Sequence, residues 1–224
     1  MSTLRSPMSK AFIPPHSLYA ILDLDQSRET PFPSVLSALL KGGATVIQLR
    51  AKEIPSREFF RLAMETRRHT SAAGCLFIVN DRVDIALLTG ADGVHLGQGD
   101  LPLAEARRLM GRRCIGISTH DLAQAKEAER GGADYIGFGP IFGTTTKPTG
   151  YLPRGLPMLR EIRKAVKLPI VAIGGISEQN TRMVWEAGAD SVAMIGDLMG
   201  AENISEKVKR ILALCQAPSA SSFS

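Results

Sequence analysis

The sequence predicts a single-domain α/β fold, a closed (β/α)8 TIM barrel, and three observations carry that expectation. Eight short, apolar, β-rich runs alternate with longer amphipathic runs along the chain. A Gly-Ala-Asp phrase recurs where helical patterns give way to strand-like ones. No G-x-G-x-x-G follows the first strand, where an open dinucleotide-binding sheet would carry it. The even spacing of the runs over 224 residues leaves no room for a second domain.

Taken in order, residues 1–16 mix Ser, Pro, Lys and Arg without period and are expected to form a loose tail. The barrel is expected over 17–215, with a second loose tail over 216–224. Strands are expected at 18–22, 45–49, 76–79, 93–95, 114–117, 135–137, 170–172 and 191–194, each short, apolar and β-rich. Helical spacing of apolar residues marks the intervening segments, among them 56–70, 122–130 and 180–187. The recurring phrase reads Gly-Gly-Ala-Thr at 42–45, Gly-Ala-Asp-Gly at 90–93, Gly-Gly-Ala-Asp at 131–134 and Gly-Ala-Asp-Ser at 188–191. A glycine there can close a helix in the left-handed conformation and release the chain into the next strand. Successive copies are separated by room for two βα units of roughly 25 residues each, so the phrase marks strands two, four, six and eight.

Composition narrows the function classes. The chain has 27 Lys and Arg against 22 Asp and Glu, a net charge of +5 that suits small anions as readily as nucleic acid. With one Trp and three Tyr it has few rings for stacking nucleic-acid bases. No apolar run approaches the roughly 20 residues of a membrane span, and no N-terminal segment resembles a secretory signal, so the expected location is the cytoplasm. Cys75, Cys114 and Cys215 are far apart and odd in number, and are expected to be buried thiols.

A barrel builds its active site from residues at the C-terminal ends of its strands. Strand two ends in Gln48-Leu49-Arg50-Ala51-Lys52, and alternation sends Gln48 and Arg50 to the face of Val46, into the barrel. Polar side chains there require a ligand or a network. Asp81 after strand three and Asp100 after strand four arrive at adjacent positions on one rim. Two such carboxylates can hold a hard cation such as magnesium; alternatively, each caps the helix that follows it. After strand five, Ser118 and Asp121 are further cap candidates and His120 a candidate proton carrier. The loop after strand six carries Thr144, Thr145, Thr146 and Lys147 among glycines, a set that suits an anion. Gly174-Gly175 after strand seven and Gly196 after strand eight stand where barrels of this kind bind phosphate through bare backbone amides.

Together these residues resemble the thiamine phosphate synthase (thiamin-phosphate pyrophosphorylase) family. The resemblance spans about residues 18–214 and rests on Q-L-R-A-K, V-N-D-R-V-D-I-A, G-V-H-L-G-Q-G-D-L, T-T-T-K and V-A-I-G-G-I, in that order. It implies a transferase of thiamine biosynthesis that joins hydroxymethylpyrimidine diphosphate to thiazole phosphate, or its carboxylated form, releasing pyrophosphate, with Mg²⁺. Gln48, Leu49, Arg50, Ala51, Lys52, Asn80, Ser118 and Lys147 would hold the pyrimidine diphosphate. Of these, Arg50, Lys52, Ser118 and Lys147 would be catalytic. Asp81 and Asp100 would bind the metal, while Thr144, Thr145, Thr146, Gly175, Ile195 and Gly196 would hold the thiazole phosphate.

The partners so implied are small molecules, with no nucleic acid and no membrane, and with self-association left open. The chain departs from the family at Gly196-Asp197, where a Ser and a small apolar residue are usual. An inward Asp197 would repel phosphate; an Asp197 that caps the next helix would not. Two rivals stand beside this reading. One is the thiazole tautomerase of the same family, with His120 moving a proton. The other is a non-catalytic barrel that binds thiazole phosphate.

Overall fold

A computed structural model describes residues 13–25, 31–143 and 150–216. Eight parallel strands close into a barrel in sequence order: β1 (Ser17–Asp23), β2 (Val46–Arg50), β3 (Leu76–Asn80), β4 (Gly93–Leu96), β5 (Cys114–Thr119), β6 (Tyr135–Phe138), β7 (Ile170–Ile173) and β8 (Ser191–Met194). Helices α1 (Phe32–Gly42), α2 (Ser56–Ala73), α3 (Val83–Thr89), α4 (Leu103–Met110), α5 (Leu122–Arg130), α6 (Gly155–Ala165) and α7 (Thr181–Glu186) fill the successive crossovers, and α8 (Gly196–Met199) and α9 (Ile204–Gln216) follow β8. All eight expected strands are present, and the helices expected at 56–70, 122–130 and 180–187 appear as α2, α5 and α7.

Alternation along each strand divides the apolar residues into two cores. Leu18, Ala20, Leu22, Ile47, Leu49, Phe77 and Val79 face the helices. Tyr19, Ile21, Val46, Ile78, Cys114, Tyr135, Val171 and Ala193 fill the barrel interior. Ile13 joins this interior set and is only 3% exposed, so the inner end of the expected N-terminal tail packs on the barrel. Ser17 Oγ donates to the Pro14 carbonyl at 2.6 Å, and His16 stacks on Trp185, which fastens the same stretch. Residues 1–12 and 217–224 of the expected tails lie outside the described residues.

The recurring phrase closes helices as its glycines predict. Gly43 and Gly90 are left-handed caps of α1 and α3, each returning its amide to a carbonyl of the last turn. Its aspartates have a second role. Asp92, Asp134 and Asp190 each accept a backbone N–H from the start of the preceding strand, those of Phe77, Ile115 and Ile170, at 2.8–2.9 Å. Each also pairs with an arginine of the crossover: Arg67, Arg107 or Arg163. These contacts lie at the N-terminal end of the barrel, opposite the expected active site.

Cys75 and Cys114 are buried and form no disulfide. Burial, with Asp92 adding to it, pushes the Cys75 thiol up to about 12, so the thiolate is absent at neutral pH. Native protein is therefore expected to leave Cys75 unmodified by iodoacetamide at pH 8, with modification appearing on unfolding; peptide mass mapping checks this. Among the described residues no helix is long and apolar enough to cross a membrane.

Candidate active site

The C-terminal ends of β2, β3 and β4 bring four charged side chains together. Arg50 ends β2 facing inward, and its Nη1 lies 2.5 Å from Asp23 Oδ2 and 3.4 Å from Asp25 Oδ2. Asp25 also accepts the Lys52 backbone N–H at 3.0 Å, so the carboxylates at the end of β1 brace the Arg50–Lys52 turn. Burial pushes the Asp23 carboxyl up, and the Arg50 charge opposes that rise. Arg50 is thereby held in one orientation.

Lys52 Nζ reaches across to Asp81 Oδ2 at 2.9 Å. Asp81 sits in the left-handed region at φ 61°, with its amide donating to the His95 carbonyl at 2.8 Å. The Asp100 carboxyl faces the Asp81 side of the rim and takes the Gly97 amide at 2.6 Å. Burial raises the Asp100 carboxyl above its ordinary range, and its neighbour Asp81 adds to the rise. Two neighbouring carboxylates of this kind suit a hard cation.

The capping alternative for these two aspartates is not what the chain adopts. Arg82 and Pro102 occupy the N-cap positions of α3 and α4, and neither helix start has a side-chain cap. Asp121 is a true cap, its Oδ1 accepting the Gln124 amide at 2.8 Å at the start of α5. That leaves Ser118 in β5, with its Oγ 2.9 Å from His95 Nε2. Gln48 and Asn80 are buried on the inner face at the same end of the barrel.

The exits of β6 and β7 run side by side. Ile141 and Phe142 donate their amides to the carbonyls of Ile173 and Gly174 at 2.8 and 2.9 Å. Gly174 and Gly175 have φ of 99° and 62°, and a Cβ on either would overlap residues 140–143. After β8, Ile195 packs on the interior core and precedes α8.

The family model described as thiamine monophosphate synthase matches residues 18–198. The chain belongs to that family. The thiamine-phosphate synthase of Chloroflexus aurantiacus is 47% identical over 92% of this chain and 96% of its own. That of Syntrophomonas wolfei is 42% identical over 88% of this chain and 94% of its own. Among solved structures, thiamine phosphate pyrophosphorylase from Pyrococcus furiosus superposes with a TM-score of 0.82 at 40% identity, covering 89% of this chain and 95% of that one. A 3-hexulose-6-phosphate synthase, at 17% identity and a TM-score of 0.67, shares the barrel fold.

Of the family motif positions, the structure gathers Gln48, Arg50, Lys52, Asn80, Asp81, Asp100 and Ser118 at one end of the barrel. Leu49 turns its side chain into the barrel–helix core, and Ala51 packs against that core, so only their main chain can serve a ligand. Thr144, Thr145, Thr146 and Lys147 lie outside the described residues. His120, the residue of the tautomerase reading, is committed elsewhere: its Nδ1 is 2.7 Å from the Gly139 carbonyl oxygen and its ring stacks on Tyr151.

The Asp197 departure resolves away from the rim. Its carboxylate accepts Lys207 Nζ at 2.7 Å and the Glu178 amide at 3.1 Å, tying α8 to α9 and to the loop after β7. Asp197→Ala is expected to cost about 1 kcal/mol of stability, since a partly exposed ion pair and one hydrogen bond are lost. Its KM for a phosphate-bearing substrate should stay within about twofold of the parent, a shift of only about 0.4 kcal/mol. A large change in that KM would place Asp197 at the ligand.

Sequence reasoning missed Asp23, Asp25, Tyr19, His95 and Tyr135. Inward alternation was the available signal for Tyr19, Asp23 and His95, each two residues from another inward position.

Proposed function

We propose that the chain is a thiamine phosphate synthase. It joins hydroxymethylpyrimidine diphosphate to thiazole phosphate, or to its carboxylated form with loss of carbon dioxide, and yields thiamine monophosphate and pyrophosphate. The observation that carries this reading is the charged rim of Arg50, Lys52, Asp81 and Asp100, in a chain whose family is set by residues 18–198.

The carbon–oxygen bond between the pyrimidine methylene and the diphosphate breaks, and the thiazole nitrogen lone pair forms the new carbon–nitrogen bond. The electron-rich aminopyrimidine carries the positive charge that develops on the methylene, and no proton has to move at the reacting atoms. Catalysis is then positioning plus stabilisation of the departing anion. Arg50, fixed by Asp23 and Asp25, presents a preorganised positive charge. Lys52 supplies a second, and Lys147 a third from the loop after β6. Gln48, Asn80 and Ser118 orient the pyrimidine diphosphate. Thr144, Thr145, Thr146, Gly175, Ile195 and Gly196 receive the thiazole phosphate.

Asp81 and Asp100 fit a magnesium ion by their chemistry: they are two carboxylates at one rim, Asp81 is already 2.9 Å from one cation, Lys52 Nζ, and the neighbouring Asp81 helps raise the Asp100 carboxyl. Two protein carboxylates with water and phosphate oxygens form an ordinary magnesium shell. Bound there, the ion would neutralise charge on the diphosphate. The expected setting is the cytoplasm, with small molecules as the only ligands and no nucleic acid or membrane.

The test is purified protein with both substrates and Mg²⁺, followed by pyrophosphate release. Mg²⁺-dependent release supports the synthase. No release, with carboxylated thiazole phosphate isomerised instead, would sink it.

A further inference from the structure

Five side chains from β1, β2, β4, β5 and β6 form one hydrogen-bonded chain through the barrel interior. Gln48 Nε2 donates to the Tyr19 hydroxyl at 2.9 Å. The Tyr19 and Tyr135 hydroxyls are 2.7 Å apart, the Tyr135 hydroxyl is 2.9 Å from His95 Nδ1, and His95 Nε2 is 2.9 Å from Ser118 Oγ. Glycines make the slot: a Cβ on Gly116 would overlap the Tyr135 ring, and one on Gly137 would lie 2.9 Å from His95 Cε1. Both tyrosines are at most 1% exposed, so their hydroxyl protons are placed among buried neighbours rather than in water.

Counting protons gives the chain a direction. An amide nitrogen can only donate, so Tyr19 accepts from Gln48, and the arrangement that pairs every link within the chain has Tyr19 donate to Tyr135. In that arrangement Tyr135 donates to His95 Nδ1. The ring hydrogen of His95 then resides on Nε2 and points at Ser118 Oγ. With that lone pair occupied, the Ser118 proton turns outward to the rim. Burial raises both phenols above their ordinary range, which keeps them as protonated links.

We propose that His95 is a positioning residue, held as its Nε2–H tautomer by Tyr135, which makes Ser118 a dedicated hydrogen-bond donor toward an acceptor atom of the pyrimidine diphosphate. The ligand named here rests on the functional reading above; the direction of the chain does not.

Long-range ¹H–¹⁵N spectra of ring-labelled protein test the direction without any substrate. A pyrrole-type Nε2 with a pyridine-type Nδ1 is expected, and the reverse assignment would overturn the proposal even if every variant failed to fold. Tyr135→Phe keeps the ring in its slot and removes the donor to Nδ1. Its spectra should show both tautomers, and its KM for the pyrimidine diphosphate should rise about tenfold, the effect of one weakened hydrogen bond. KM for thiazole phosphate should not change. His95→Gln, which retains a donor and an acceptor, should stay within about threefold of the parent KM, whereas His95→Leu should not. Equal KM values for parent and Tyr135→Phe would overturn the positioning role. A parent protein that releases no pyrophosphate would sink the functional reading alone, because the spectra still decide the tautomer.

Discussion

Asp81→Asn is expected to lower the rate of pyrophosphate release by on the order of 10²-fold, the cost of losing one preorganised electrostatic group, while leaving the fold intact. The separation of these effects comes from the backbone. Asp81 has φ 61°, and its amide and that of Arg82 are already spent on the His95 and Asn80 carbonyls. Asn tolerates the left-handed region as well as Asp does, so the turn survives the exchange. The charge does not survive. Lys52 loses its partner, Asp100 loses the carboxyl that helps hold its proton affinity up, and a cation keeps one of its two carboxylates. The Mg²⁺ concentration for half-maximal rate should therefore rise along with the loss of rate. Asp81→Ala should add a stability cost of about 1 kcal/mol, because alanine is strained where asparagine is not. An unaltered rate and Mg²⁺ response in Asp81→Asn would remove this residue from the proposed metal site.

What the sequence made legible was whatever depends on one strand or one helix at a time. Inward alternation placed Gln48 and Arg50 on the face of Val46, and the structure puts Val46 in the interior core and Arg50 beside Asp23. The cap reading of Asp121 held because an N-cap is a local hydrogen bond. The cap reading of Asp81 failed because the chain turns left-handed at that residue and starts α3 one position later. What stayed hidden depends on register between strands. Tyr19 meets Tyr135, and Tyr135 meets His95, only because closure sets β1, β6 and β4 around one axis. The partner of Asp197 is Lys207 on α9, a tertiary contact that no local pattern encodes.

Asp134→Ala should be the most destabilising single change at the end of the barrel away from the active site, at about 3 kcal/mol. The recurring phrase explains why. Asp134 donates its own amide to the Ile115 carbonyl at 2.8 Å and accepts the Ile115 amide at 2.9 Å, so it clamps β6 to the start of β5. Asp92 does the same to Phe77 and Asp190 to Ile170, which clamps β3 to β4 and β7 to β8. The phrase recurs every two βα units because each clamp joins one pair of strands. Where the first copy has Thr45, no aspartate is available to clamp β1 to β2 in this way. At Asp134 the carboxylate is 5% exposed, and Arg107 pairs with it at 2.6 Å while also donating to the carbonyls of Gly111, Arg113 and Gly132. Removing the carboxylate leaves a strand amide without its acceptor and a guanidinium without its counter-charge. For a chain of this size the melting temperature should fall by roughly 6–12 °C. Asp134→Asn can still accept from Ile115 and should lose about half as much, which separates the hydrogen bond from the charge. Because the clamp lies at the opposite end of the barrel from Lys52 and Asp81, kcat/KM at 25 °C should remain that of the parent in both variants. A melting temperature within about 2 °C of the parent would show that the clamp contributes under about 1 kcal/mol.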